Sequence, residues 1–379
     1  MTEIQPREGI HLPNAREELF QRVEHELQDK VQIYRLGDRF EGLSSELAKI
    51  QILDVTQVLG CHYGVKNVFV PIIHHLERDP NSPFKVNPDT AILVEPSTGN
   101  GFVAFSEAAD RLSYEHIVIM PDGMPESRYK HPQGKEVKII RTSAEGYATG
   151  MPPKLKAMIN QNRLRVSNGE KVYISPNHAI SSADITVEAM SEVGRQLTSS
   201  LNTDIPLRVV LSMGNGASLC SIGEFVKRNS KNANVVATES LAYGGGYDRF
   251  ASYKGLPSYK QLYGIEPGNE VLMKKFDTYG TNAPLGVKLP LQERAFRGDL
   301  IDEYVLFTND PLLNEFASLD INDENLQNSL NLPNHSKLPQ VIFDTYGNST
   351  LANIAVASKY TDNGEEVVAM AYDGRANYS

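Results

Sequence analysis

The sequence predicts an α/β protein of two three-layer domains with mostly parallel sheets, and three observations carry that expectation. Short apolar runs alternate with amphipathic stretches along most of the chain, which is the signature of strand–helix–strand units. The runs are near-continuously apolar rather than alternating, as strands covered on both faces are. At 379 residues the chain exceeds one ordinary core and suits two domains.

The elements follow in order. Near the N-terminus Leu19, Val23 and Leu27 recur at helical spacing, with Asn14 as a candidate cap and Glu17 three residues on. Buried strands are expected at AILVEP (91–96), HIVIMP (116–121), VKIIRT (137–142), VYISP (172–176), LRVVLSM (207–213), NVVATE (234–239) and EVVAMAY (366–372). Amphipathic stretches such as FVAFSEAADRL and IGEFVKRN lie between them. Residues 240–300 are rich in Gly, Tyr, Pro and Lys with weak periodicity, so an elaborated loop or lid is expected, with Tyr243, Tyr247, Tyr253 and Tyr259 as candidate lining. Residues 318–338 are polar and read as a surface connection.

Composition excludes several classes. Thirty-seven basic against 47 acidic residues, with no Lys/Arg block, argue against a nucleic-acid surface. No apolar run reaches the length of a membrane helix, and the first residues lack the apolar core of a signal peptide. Cys61 and Cys220 alone make no disulfide framework, so a reducing, cytoplasmic setting is expected. No metal-ligand spacing is present; adjacent His74 and His75 point about 100° apart on a helix.

In parallel α/β folds ligands bind where strands end and helices begin, so those turns hold the candidate residues. Ser97-Thr98-Gly99-Asn100-Gly101 follows the strand ending at Pro96; it fits either an anion site or a capped tight turn. Gly214-Asn215-Gly216-Ala217-Ser218 follows Met213 and is the better phosphate cradle, with two glycines for close backbone approach and a hydroxyl. Gly347-Asn348-Ser349-Thr350 repeats the pattern, or simply caps a helix. Lys66 stands at the start of an apolar helical stretch, where an ammonium is disfavoured and a neutral amine is easier to hold, or it is simply an exposed lysine on a loop, as most lysines are. His178 fits a substrate contact or a loop hydrogen bond.

Taken in order, GVKN (64–67), EPSTGNG (95–101), GNGAS (214–218), GNSTLAN (347–353) and DGRANY (373–378) resemble the motifs of the fold type II pyridoxal-phosphate enzymes. The resemblance is greatest to the cysteine synthase (O-acetylserine sulfhydrylase) and cystathionine β-synthase branch, as a divergent member, and runs from about residue 31 to the C-terminus. It implies a tryptophan synthase β-like fold with pyridoxal 5'-phosphate in the cleft between a substrate-carboxylate domain, residues 50–182, and a larger domain of residues 1–49 and 183–379. Lys66 is implied as the Schiff-base lysine that also moves the α-proton. Ser97, Thr98, Gly99 and Asn100 are implied to bind the substrate carboxylate, Asn100 also reaching the cofactor. Gly214, Asn215, Gly216, Ala217 and Ser218 would cradle the phosphate, and Ser349 would bond the ring nitrogen. A homodimer acting on a small amino-acid substrate is likewise implied. Some positions depart from the pattern: Asn67-Val68 replaces Asp-Arg, Gly101 replaces a threonine, Thr350-Leu351 replaces Ser-Gly, and Asn177-His178 stands where a glutamine is usual. The function so implied is β-replacement on a serine-type amino acid, free or O-activated. The alternatives are a β-eliminating ammonia-lyase and a catalytically weak binding homologue.

Overall fold

The computed structural model describes residues 11–26, 31–56, 68–97, 99–124, 126–131, 134–143, 147–201, 204–273 and 289–375. Ten strands occur among them: β1 (Gln32–Arg35), β2 (Gln51–Asp54), β3 (Ala91–Pro96), β4 (Glu115–Pro121), β5 (Lys138–Thr142), β6 (Val172–Ile174), β7 (Leu207–Ser212), β8 (Ala233–Ser240), β9 (Glu303–Phe307) and β10 (Glu366–Ala371). The seven runs read as strands from sequence are all strands. The chain forms two compact units, 1–28 with 66–189 and 29–65 with 190–379.

The first unit holds a wholly parallel sheet in the order β5-β4-β3-β6. Ile117, Val118, Ile119 and Met120 of β4 are all buried. Successive strand residues point to opposite faces, so both faces of this strand are covered. Helix 100–111 follows β3, and helix 151–159 supplies Met151, Leu155 and Met158 to a core with Val94, Ile117 and Ile119.

The second unit holds a six-stranded sheet, β1-β2-β10-β7-β8-β9, parallel except for β1 against β2. Its helix 348–357 is buried along its whole length and packs Leu351, Ile354 and Val356 against Ile52, Val210 and Ala369. Asn353 pins this helix. Its Oδ1 accepts from Ser212 Oγ at 3.0 Å and Thr238 Oγ1 at 2.9 Å, and its Nδ2 donates to Met370 O at 2.9 Å. One amide thus joins β7, β8 and β10.

Several expectations are corrected. Residues 51–54, assigned from sequence to the 50–182 domain, belong to the larger unit because β2 is hydrogen-bonded between β1 and β10. The N-terminal helix, assigned with residues 1–49 to the larger domain, joins the smaller unit: Arg16 pairs with buried Glu77, which Tyr114 also holds at 2.7 Å. Its cap is Pro13, whose carbonyl accepts from Arg16 and Glu17 N–H, and Asn14 is the first helical residue. Glu17 instead meets His74 at 2.8 Å. The described part of 240–300 is not loop but helices Gly245–Lys254, Tyr259–Tyr263, Glu270–Met273 and Pro290–Arg297. Tyr243, Tyr247 and Tyr259 are buried there, and the Tyr259 hydroxyl donates to Leu241 O at 2.6 Å, so they pack the unit rather than line a lid. The 318–338 connection contains a helix, Asp323–Leu330.

Candidate active site

Each sheet has one point where the direction of strand succession reverses. In the six-stranded sheet β7, β8 and β9 succeed one another outward, and β10 then pairs the other side of β7. A crevice opens at the carboxyl ends of such a pair. The loop Gly214–Ser218 leaves β7 there, and Tyr372-Asp373 leaves β10.

The loop has the form of an anion cradle. Asn215 Oδ1 accepts the Ala217 N–H at 3.0 Å, and the chain turns directly into a helical segment that opens with a π turn, Leu219–Gly223. The backbone N–H groups of Gly216 and Ser218 meet no acceptor among the described residues. Gly216 sits at φ +91, and a β-carbon there would lie 2.7 Å from both Leu291 C and Gln292 N. Only glycine fits. The loop rests on the start of helix 290–297: the Gln292 side chain donates to Gly214 O, Arg249 Nη2 donates to Gln292 Oε1 at 2.7 Å, and Cys220 Sγ donates to Leu291 O at 3.1 Å. Burial, with the charge of Glu224, pushes the Cys220 thiol up to about 12. It is a packing group, not a nucleophile.

Ser349 lies in the first turn of helix 348–357, in the same unit. It is 6% exposed, and no described residue bonds its hydroxyl. Tyr372 links the two loops: its hydroxyl accepts from Ser212 N–H at 3.1 Å and its own N–H donates to Thr350 Oγ1 at 3.1 Å. Burial raises the Tyr372 phenol, against the lowering effect of hydrogen bonds from Ser218 and Ser212. Gly347 N–H donates to Asp373 O at 3.0 Å, and Arg375 Nη1 to Asn348 Oδ1 at 2.7 Å, so the DGRANY motif buttresses the Ser349 turn. A phosphate needs free N–H donors with close backbone approach, and a ring nitrogen needs one unclaimed buried hydroxyl. The residues present fit pyridoxal phosphate on both counts.

In the four-stranded sheet the reversal falls between β3 and β6. Ser97 and Gly99 leave β3, and His178 lies beyond β6. Ser97 N–H donates to Ile119 O at 3.0 Å, which ties the loop to β4. A β-carbon on Gly101 would lie 3.0 Å from Ser97 Oγ. The Ser97 hydroxyl thus takes the space into which a threonine at 101 would reach. Glu95, 1% exposed, holds the opposing turn: its Oε2 accepts Asn177 N–H at 2.8 Å and its Oε1 lies 2.6 Å from His178 Nδ1.

The structure therefore brings Gly214, Asn215, Gly216, Ala217, Ser218 and Ser349 to one crevice in one unit, and Ser97, Gly99 and His178 to the corresponding edge of the other. Lys66, Thr98 and the Asn100 side chain lie outside the described residues. Sequence reasoning missed Glu95, Gln292, Asn353 and Tyr372. No group of three or more His, Cys, Asp or Glu suited to a metal ion occurs among the described residues, and no described helix is long and apolar enough to cross a membrane.

Comparison with known proteins identifies the family. The family model "Pyridoxal-phosphate dependent enzyme" matches residues 70–276, more than half of the chain. No curated protein sequence matches. Among solved structures, an O-acetylserine-dependent cystathionine β-synthase from Helicobacter pylori superposes with a TM-score of 0.62 at 14% identity, covering 94% of this chain and 96% of that one. A hydrogen sulfide-producing enzyme from Fusobacterium nucleatum gives 0.62 at 14% identity over 98% and 99%. An O-acetylserine sulfhydrylase isoform from Entamoeba histolytica gives 0.60 at 14% over 100% and 92%. At these identities the likeness establishes the fold, which is that of the cysteine synthase and cystathionine β-synthase enzymes.

Proposed function

The chain belongs to the pyridoxal-phosphate dependent enzymes, and on that premise we propose that it catalyses β-replacement on a serine-type amino acid with a free or activated β-hydroxyl. The observation that carries this reading is that Tyr372 ties the end of β7, from which the Gly214–Ser218 cradle leaves, to the turn that holds the neutral Ser349 hydroxyl. When bound, the cofactor supplies the electron sink that loosens the bonds at the substrate α-carbon. Lys66 would hold it through its amine and would move the substrate α-proton. Gly216 and Ser218 N–H groups would hold its phosphate. Ser349 offers a hydroxyl, not a carboxylate, to the ring nitrogen. It does not enforce protonation there, which disfavours transamination and favours prompt departure of a β-substituent. Ser97, Thr98, Gly99 and Asn100 bind the substrate carboxylate, and His178 contacts the substrate from the neighbouring turn. The chain acts as a homodimer in the cytoplasm.

The test is the visible spectrum of the purified protein with pyridoxal phosphate, before and after borohydride, followed by peptide mapping. A visible band abolished by borohydride, with the reduced adduct on Lys66, supports the assignment; a protein that stays colourless refutes it. O-acetylserine or serine is then added with and without sulfide. A product that needs the second reactant supports replacement. Keto acid and ammonia without one identify a lyase, and no turnover identifies a binding homologue.

A further inference from the structure

We propose that Tyr372 is a positioning residue for the phosphate, acting through Ser218, whose hydroxyl it turns toward an anion in the Gly214–Ser218 loop; this rests on the reading of that loop as the phosphate cradle. All the residues concerned belong to the second unit. β10 pairs β7 only as far as Ala369, opposite Val210, whereas β7 runs on to Ser212. Beyond that point β10 stays with β2, Ala371 lying opposite Asp54. Successive backbone N–H groups of a strand point to opposite sides. Met213 N–H donates to Thr238 O on the β8 side at 2.8 Å, so Ser212 N–H faces the departing β10. There the Tyr372 hydroxyl accepts it at 3.1 Å, in the place of a strand carbonyl. The phenol is thus wedged between the two strand ends, where β7 gives way to the Gly214–Ser218 loop.

The single phenol proton decides what Ser218 does. Burial raises the phenol, so it stays neutral, and its hydroxyl is also hydrogen-bonded with the side chains of Ser218 and Ser212. Ser212 Oγ gives its own proton to Asn353 Oδ1 at 3.0 Å, an oxygen that only accepts. The amide is oriented by its Nδ2, which donates to Met370 O at 2.9 Å. Toward Tyr372, Ser212 Oγ is therefore an acceptor, and two arrangements remain. With the loop empty, Ser218 donates to the phenol oxygen and the phenol donates to Ser212, in one unbroken chain. With an anion in the loop, the phenol donates to Ser218 Oγ and the Ser218 proton turns to the anion.

No proton is gained or lost between the two; only the Ser218 and Tyr372 hydroxyls rotate. Capping does not compete for the Ser218 hydroxyl, because the residue stands at the N-cap of the segment Leu219–Gly223 without making a side-chain capping bond. A hydroxyl whose oxygen already accepts a hydrogen bond is a stronger donor, and a phosphate oxygen is a strong acceptor. Tyr372 acts on the anion through Ser218 alone.

The test uses the full chain stripped of cofactor and compares pyridoxal phosphate with pyridoxal, which lacks the phosphate, by absorbance titration. Tyr372→Phe keeps the ring and the N–H that Thr350 Oγ1 accepts at 3.1 Å, so the Ser349 turn stays held. Its affinity for pyridoxal phosphate should fall about tenfold, while that for pyridoxal changes by less than about threefold. Equal losses for both mean a structural role and overturn the proposal. Ser218→Ala leaves Ser212 N–H its partner and should lower the preference for the phosphate by the same factor. An unchanged preference there overturns the proposal even where Tyr372→Phe does not fold. The double variant should lose no more than about twofold beyond either single one, because both remove one chain. Losses that multiply to about a hundredfold mean that Tyr372 does not act through Ser218 and overturn it as well. A wild-type protein that binds pyridoxal as tightly as pyridoxal phosphate refutes the cradle reading itself, and the proposal with it.

Discussion

Replacing Gly216 with alanine tests the phosphate cradle directly. Two effects add. The residue sits at φ +91, where a β-carbon costs about 1–2 kcal/mol in backbone strain. That β-carbon also falls 2.7 Å from Leu291 C and Gln292 N, backbone atoms that cannot turn aside. Comfortable carbon contacts need about 3.5–4.0 Å, so the loop must back away by about 1 Å. Such a shift breaks at least one N–H to phosphate hydrogen bond, and a bond to a charged acceptor contributes about 1.5–3 kcal/mol. Cofactor affinity should fall about ten- to a hundredfold, read by absorbance titration of the apoprotein with pyridoxal phosphate. Gly255→Ala is the control. Its φ is +66 and nothing lies within 4 Å of its β-carbon position, so it carries the strain without the collision. Both variants should melt earlier, but only the first should lose affinity. Cofactor affinity of Gly216→Ala within about threefold of wild type would refute the assignment of this loop.

Three further outcomes are expected. Burial lowers the His116 and His131 imidazoles below their ordinary 6.5, with Asp110 and Glu107 opposing and Lys135 reinforcing the effect. The unfolded chain then binds protons that the folded one refuses, so stability should be full above 6.5 and fall as pH drops through it toward the lowered values; a double His116→Asn, His131→Asn variant should show a flatter melting-temperature slope, and an unchanged slope would contradict this. The Cys220 thiol, pushed up to about 12 by burial, should resist maleimide in the native protein and react only on unfolding, as mass mapping of its peptide will tell. Asn353→Ala strands the Ser212 and Thr238 hydroxyls and the Met370 carbonyl in the core, a loss of about 2–4 kcal/mol in urea unfolding; a loss under about 1 kcal/mol would mean that the sheet closes without it.

What the sequence disclosed and what it hid divide along a physical line. The Gly214–Ser218 turn was legible because its signal is local: an apolar strand, two glycines, a hydroxyl and a helix within a dozen residues. The seven strands were legible because each holds a short apolar, β-branched-rich run. By contrast β1 and β2, QIYR and QILD, place only two apolar residues between a glutamine and a charged residue. The supporting residues were hidden for another reason. Gln292 acts on Gly214 across 78 residues, Glu95 on His178 across 83, and Asn353 on Ser212 across 141. A polar residue in an apolar segment announces that it has a partner, not which one.

That separation is itself a consequence of the architecture. In a parallel sheet, strands adjacent in space are joined by long crossovers, so the loops that meet at a reversal point come from distant parts of the chain. The β7 and β10 loops meet, Ser212 N–H donating to the Tyr372 hydroxyl, although the two residues are 160 positions apart in the chain. Any side chain that locks one such loop to another must therefore be remote in sequence. The carboxylate of Glu95 and the amide of Asn353 illustrate the two ways this is done. Glu95 uses both oxygens to impose one conformation on a strained turn, whereas Asn353 spreads three hydrogen bonds over three strands. The first arrangement fixes the turn beyond β6, and the second holds a helix against its sheet.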